Sequence, residues 1–131
     1  MRALLEVYCD GGCKVGKGIG AATYLFVRGE GIQFIHTTPL KKDGLTNNQA
    51  EYTAVYLAVL EAGVGKYTLF SDSEVVMKQL NGKYKVKEKN LLTLHNTVKK
   101  AAPSVEFVNV PRENKYIMIC DKMNKMMMEM I

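Results

Sequence analysis

Two kinds of hydrophobic patterning, in a fixed order, constrain this chain most. Residues 3–10, 19–27 and 32–38 are β-rich, and in the first Leu5, Val7 and Cys9 alternate with Leu4, Glu6, Tyr8 and Asp10, the period of a strand with two unlike faces. Only Arg28-Gly29-Glu30-Gly31 separates the second run from the third, so the three predict an antiparallel meander. The pattern then changes to helix, strand, helix, helix, strand, helix. That order builds parallel pairs through right-handed crossovers, with sites beyond the carboxyl ends of the strands. An α/β fold with a mixed sheet is expected.

The helices carry their own signals. Thr46-Asn47-Asn48-Gln49 has the form of a capping box, with Thr46 at the cap and Gln49 three residues on. The helix it opens runs along a stripe of Ala50, Ala54, Leu57, Ala58 and Glu61 to a stop at Gly63. Glu51 is read beside that stripe in the first turn, where a carboxylate also favours the helix dipole. Residues 67–70 form a short apolar strand, and Ser71-Asp72-Ser73-Glu74 reads as a second capping box, opening a helix that stops at Gly82. Leu91, Leu94, His95, Val98, Ala101 and Ala102 make a further stripe ended by Pro103, and residues 105–110 a fifth strand. In the last segment Ile119, Met123, Met126, Met127 and Met130 recur at helical spacing, which predicts a helix with methionine as core filler and Asp121 off the stripe. Asp10 is read as the end of its strand, with Gly11-Gly12 turning, and Asp72 as the end of another. If the first and fourth strands are neighbours, the two carboxylates meet at one edge.

Composition narrows the classes. A chain of 131 residues with 47% apolar content fills one compact core, so a single domain over 1–131 is expected. No run approaches the ~20 apolar residues of a membrane span, and the first residues lack a secretory pattern, so a soluble, cytoplasmic protein is expected. Three cysteines give no disulfide framework, and Cys9 and Cys13, a pair without a second pair, argue against zinc. Cys9 and Cys13 are read as a small buried residue and a turn thiol. Gly16, Gly18 and Gly20 match neither phosphate-loop pattern and predict a hairpin turn. The net charge is +5, and Lys83, Lys85, Lys87, Lys89, Lys99 and Lys100 crowd around one acid, Glu88, which suits a polyanionic partner. His36 and His95 are read as border residues of the core.

Four segments in this order and spacing resemble the ribonuclease H family, type I, in its short form. They are Tyr8-Cys9-Asp10-Gly11-Gly12, Thr46-Asn47-Asn48-Gln49-Ala50-Glu51, Phe70-Ser71-Asp72-Ser73, and Val110-Pro111-Arg112-Glu113-Asn114 followed by Cys120-Asp121. The resemblance implies a mixed five-stranded sheet in order 3-2-1-4-5 with helices on both faces. It also implies a four-carboxylate site of Asp10, Glu51, Asp72 and Asp121 holding two Mg²⁺ or Mn²⁺ ions. Asp10 would bridge both ions, Glu51 and Asp72 would serve one, and Asp121 the other. Oxygen ligands select such hard cations, and clustered carboxylates need them because each raises its neighbours' pKa. The implied reaction is hydrolysis of the RNA strand of an RNA/DNA hybrid to 5′-phosphate and 3′-hydroxyl ends.

By the same resemblance Asn47 and Asn48 reach base edges and sugar hydroxyls in the minor groove, the Gly11-Gly12 backbone approaches the RNA, and Thr46 meets a phosphate of the DNA strand. Contact with the 2′-hydroxyl is how a protein tells RNA from DNA. The chain departs from the family in places. Glu74 stands where a glutamine is common, and no histidine lies between Pro111 and Asp121, where Arg112 resembles the branch that uses arginine. There is no tryptophan-rich handle; Lys83, Tyr84, Lys85, Lys87 and Lys89 are the smaller basic rim that could replace it. Two other readings stay open at this point: a DNA-processing nuclease of the same fold, resolvase- or transposase-like, and an inactive hybrid-binding module.

Overall fold

A computed structural model describes residues 4–131, so Ala3, where the first strand is expected to begin, lies outside the described residues. The elements are β1 (Leu5–Lys14), β2 (Ile19–Arg28), β3 (Gly31–Lys41), α1 (Asn47–Ala62), β4 (Thr68–Ser71), α2 (Glu74–Leu80), α3 (Lys89–Ala101), β5 (Glu106–Asn109) and α4 (Lys115–Met130). They build one sheet in the order β3-β2-β1-β4-β5, antiparallel among β1 to β3 and parallel from β1 through β4 to β5. This is the expected order. Among the described residues no helix is long and apolar enough to cross a membrane.

β1 lies at the centre and serves both halves. Its alternation sends Val7 and Cys9 into the core shared with Tyr52, Val55 and Leu69, and Tyr8 into a second core with Leu25, Ile117 and Cys120. Three helices therefore cover one face and α4 the other. The expected turn at Gly11-Gly12 is not there. β1 runs on to Lys14, with Gly11 opposite Ala22 and Gly12 opposite Ala21, because its partner β2 continues after β4 has ended. The chain reverses later, at Gly16 and Gly18, whose φ angles of 82° and 64° belong to the region glycine favours. Cys13, expected in a turn, is consequently a strand residue.

α1 begins as its capping box requires. Thr46 Oγ1 accepts from the Gln49 N–H at 3.1 Å, and Gln49 Oε1 accepts from the Thr46 N–H at 2.9 Å. The single-stripe expectation fails. Ala50, Ala54 and Ala58 are buried, but so are Tyr52, Val55 and Val59, whereas Leu57 is half-buried and Glu61 exposed. The helix is sandwiched between the sheet and α3, so two of its sides need apolar cover. The second cap also moves. Ser71 is still paired in β4, opposite Asn109, so Ser73 caps α2 by accepting from the Val76 N–H at 3.3 Å. Asp72 is thereby left between strand end and cap.

α4 corrects another expectation. Asn114 caps it, accepting from Tyr116 and Ile117, and its sheet-facing seam is Ile117, Cys120 and Asn124. Met126 and Met130 of the expected stripe are 52% and 79% exposed. Methionines at so many positions leave the apolar phase of this helix undetermined by hydrophobicity; the fit against β1 and β2 selects it.

The seam between α1 and β1 is the tightest packing near the chain's acids. A Cβ on Gly11 would run into the main-chain carbonyl of Ala50, whereas one on Gly12 would meet only the Met128 methyl at 3.9 Å. Gly11→Ala should therefore cost about 1–3 kcal/mol by overpacking, read by urea denaturation, while Gly12→Ala stays within about 0.5 kcal/mol of the parent.

Candidate active site

Strand register brings the first two acids together. The last parallel pair between β1 and β4 is Tyr8 with Phe70, and Asp10 and Asp72 each lie two residues beyond it. There the two strands part, and the gap between them is the mouth of a cleft of about 420 Å³. α1 adds Glu51 from its fifth residue, beyond the first turn, so serving the helix dipole is not its role. Its Oε1 accepts the Gly11 N–H at 2.6 Å. One carboxylate oxygen from each of Asp10, Glu51 and Asp72 lies within 4.8 Å of the others. Asp121, on α4, lines the same cleft but stands outside this triplet, with its Oδ2 paired to Lys125 at 2.9 Å.

Burial makes this cluster electrostatically expensive. Asp10 is pushed up to about 7 from 3.8, first by desolvation and then by the charges of Asp72 and Asp121, with Asn124 pulling the other way by hydrogen bonding. Glu51 is held well above the usual carboxylate range by burial and by Asp10, against the opposing Gly11 N–H. The cleft's protein cations sit at its rim: Arg112 Nε is 3.9 Å from Asp72 Oδ2, and Arg112 and Lys125 have side chains 87% and 68% exposed. Such exposed pairs contribute little. An all-oxygen donor set with unrelieved buried charge suits a hard divalent cation and fits Mg²⁺ or Mn²⁺ better than zinc. Cys9 and Cys120 beside it are buried thiols raised well above their ordinary values, first by desolvation, so they remain protonated and offer no thiolate.

The other residues singled out in the sequence divide into two groups. Gly11, Gly12, Asn47, Asn48 and Arg112 line the cleft with the acids. Asn47 Oδ1 also accepts from the Cys13 N–H at 3.2 Å, tying the start of α1 to the end of β1. Thr46, Glu74 and Lys85 are not part of the lining. Thr46 caps α1, and Glu74 is exposed at the start of α2, where Lys78 neutralises it at 2.7 Å. Lys85 is exposed on the segment between α2 and α3. His36 lies exposed on β3 with its ring 5.6 Å from that of the buried Tyr24, while His95 Nδ1 stands 3.3 Å from the buried Tyr52 hydroxyl.

Two residues in contact with the acids have no place in the sequence reading: Lys125, on Asp121, and Asn124, whose side-chain amide is 3.2 Å from Asp10 Oδ2. Each follows Asp121 by about one helical turn. A polar residue at that spacing is the signal that could have found them.

The RNase H family model matches residues 2–127. Similar solved structures include RNase H1 from the halophilic archaeon Halobacterium salinarum NRC-1, 24% identical over 98% of this chain and 100% of that one, with a TM-score of 0.86. Another is LC11 RNase H1, isolated from compost by a metagenomic approach and determined in complex with an RNA/DNA hybrid. It is 24% identical over 96% of this chain and 97% of that one, with a TM-score of 0.80. At these identities the structural likeness establishes the fold.

The acid cluster gives stability a definite pH dependence. Without divalent cations the folded chain keeps a proton on Asp10 up to about pH 7 that the unfolded chain releases near 3.8. The folded state binds more protons in that window, so stability is highest below it and is lost as pH rises through it. Thermal denaturation in chelator should show Tm falling from pH 4 to 7. Mg²⁺ at about 100 times its Kd should restore about 2.7 kcal/mol at pH 7.

Proposed function

The chain belongs to the RNase H family, and from that membership and the acidic cleft we propose that residues 1–131 form one catalytic domain that hydrolyses the RNA strand of RNA/DNA hybrids. The observation that carries this reading is the convergence of Asp10, Glu51 and Asp72 within 4.8 Å, with Asp121 in the same cleft. Asp10, Glu51 and Asp72 would hold one divalent ion, and Asp10 and Asp121 a second. When bound, two Mg²⁺ or Mn²⁺ ions supply Lewis acidity that activates a water and stabilises the leaving oxygen, giving 5′-phosphate and 3′-hydroxyl ends.

The protein's own part is positioning. The Gly11 N–H fixes the Glu51 carboxylate, and the register of β1 on β4 sets Asp10 against Asp72. Asn47 and Asn48, at the first turn of α1, face the cleft where hybrid sugars and base edges would lie, and Gly12 leaves space for close backbone approach. Arg112, in the cleft lining beside Asp72, offers a guanidinium to a phosphate. Glu74 adds no net repulsion there, because Lys78 is its counter-ion. The exposed lysines around Lys85 supply a basic rim for the DNA strand. A cytoplasmic location is part of the same reading.

Purified protein with Mg²⁺ or Mn²⁺ should cut a labelled hybrid and leave duplex RNA and duplex DNA intact. Asp10→Asn should lower the rate about 10²–10³-fold, the equivalent of about 3–4 kcal/mol. Preferential cutting of duplex DNA would instead identify a DNA-processing nuclease, and metal-independent hybrid binding without cleavage a binding module. Hybrid affinity should fall as salt rises, and Lys85→Ala should reduce the log–log salt slope by about 1.

A further inference from the structure

Asn124 is an anomaly of packing. It is 1% exposed in the α4 seam with Ile117 and Cys120, where an apolar side chain would fill the same space without needing hydrogen-bond partners. Its side-chain amide donates to the Asp10 main-chain carbonyl at 2.9 Å and to Asp10 Oδ2 at 3.2 Å. Its carbonyl accepts the Thr23 hydroxyl at 2.7 Å. Thr23 is fully buried and has given its single proton to Asn124, so in its 2.9 Å contact with Thr37 it must be the acceptor.

The hydrogen-bond direction is thus set along the whole row, from Thr37 to Thr23 to Asn124 to Asp10. The amide orientation that sets it is fixed at the Asp10 main-chain carbonyl, which can only accept: flipped, the Asn124 carbonyl would face it with no proton between them. The row joins β3, β2 and α4 to the central strand. Because one bond goes to the Asp10 main chain, it also pins α4 to β1 one turn after Asp121, which bears on the spacing between the two acids.

We propose that Asn124 is a positioning residue for the acidic site, locked by Thr23 and holding the Asp10 carboxylate by Oδ2 so that its remaining acceptor sites serve divalent cations in the cleft. This rests on the metal-dependent reading of the cleft above. A carboxylate ligand held by a partner hydrogen bond binds its metal without first being ordered, and loss of such partners typically costs about 10–100-fold in metal affinity or activity. Asn124 has no place in the cleft lining, so its loss should leave hybrid binding alone.

The test measures Mn²⁺ affinity of the full chain by electron paramagnetic resonance, with hybrid kinetics alongside. Asn124→Leu keeps the branching at Cγ and the heavy-atom count and removes every bond; Thr23→Val leaves Asn124 in place but removes its lock. Ile117→Val, in the same seam and away from Asp10, controls for lost stability, at about 0.5–1.5 kcal/mol. Asn124→Leu should weaken Mn²⁺ binding about 10–100-fold and lower kcat with KM for the hybrid unchanged. Thr23→Val should move both in the same direction by less, and Ile117→Val should move neither. Mn²⁺ affinity within about twofold of the parent in folded Asn124→Leu, or an equal loss in Ile117→Val, would overturn the proposal. If Asn124→Leu does not fold, Thr23→Val decides by the same criterion. A parent protein that binds Mn²⁺ yet leaves hybrids intact refutes the nuclease reading alone, and the variant affinities still judge Asn124; a parent that binds no Mn²⁺ overturns both.

Discussion

The acidic cleft depends on a contact between two backbones. α1 lies so close to β1 at Gly11 that the Ala50 carbonyl occupies the space a side chain would need. That approach puts Glu51 within reach of the Gly11 N–H, and it sets the start of α1 against the end of β1, where Asn47 meets Cys13. Without it the strand could still carry Asp10, and the helix Glu51, but they would not share a site. Gly11 is therefore a packing residue first, whereas Gly12 beside it is roomier.

A second constraint is the place where strand pairing stops. β1 and β4 part after Tyr8 and Phe70, while β1 stays paired to β2 through Lys14. Asp10 is consequently held in a continuing ladder, yet faces the gap where β4 has ended. The gap concentrates an electrostatic cost that the rest of the molecule must tolerate. It is met by two apolar cores of different size, one under α1 and one under α4, which share only the central sheet. The acids sit at their common end, buried enough for Asp10 to be pushed up to about 7. A carboxylate cluster in that condition is unfavourable without cations and becomes a strong oxygen cage with them.

Much of this was legible in the residues. Capping at Thr46, the β-rich meander and the strand–helix alternation each follow from local chemistry, whereas the order β3-β2-β1-β4-β5 was implied by the resemblance and is the order observed. The four acids were recognisable by resemblance, and all four line one cleft. The errors have physical causes. Gly11-Gly12 reads as a turn because glycine is common in turns, but both lie within β1, and Gly11 makes room for α1 to cross it. Ser71 reads as a cap because its spacing to Glu74 suits one, but its backbone is already committed to β5.

The amino-acid sequence by itself determined which segments become strands and helices and that Asp72 follows the end of a strand, because periodicity and capping act over a few residues. Only the tertiary structure decided which side of α4 is buried. Methionine packs acceptably in many orientations, so the choice fell to the fit of Ile117 and Cys120 against the sheet and to Asn124, whose partners Thr23 and Asp10 lie 101 and 114 residues away. Hydrogen bonds over such separations exist only once the sheet has formed, and no local pattern in the chain encodes them.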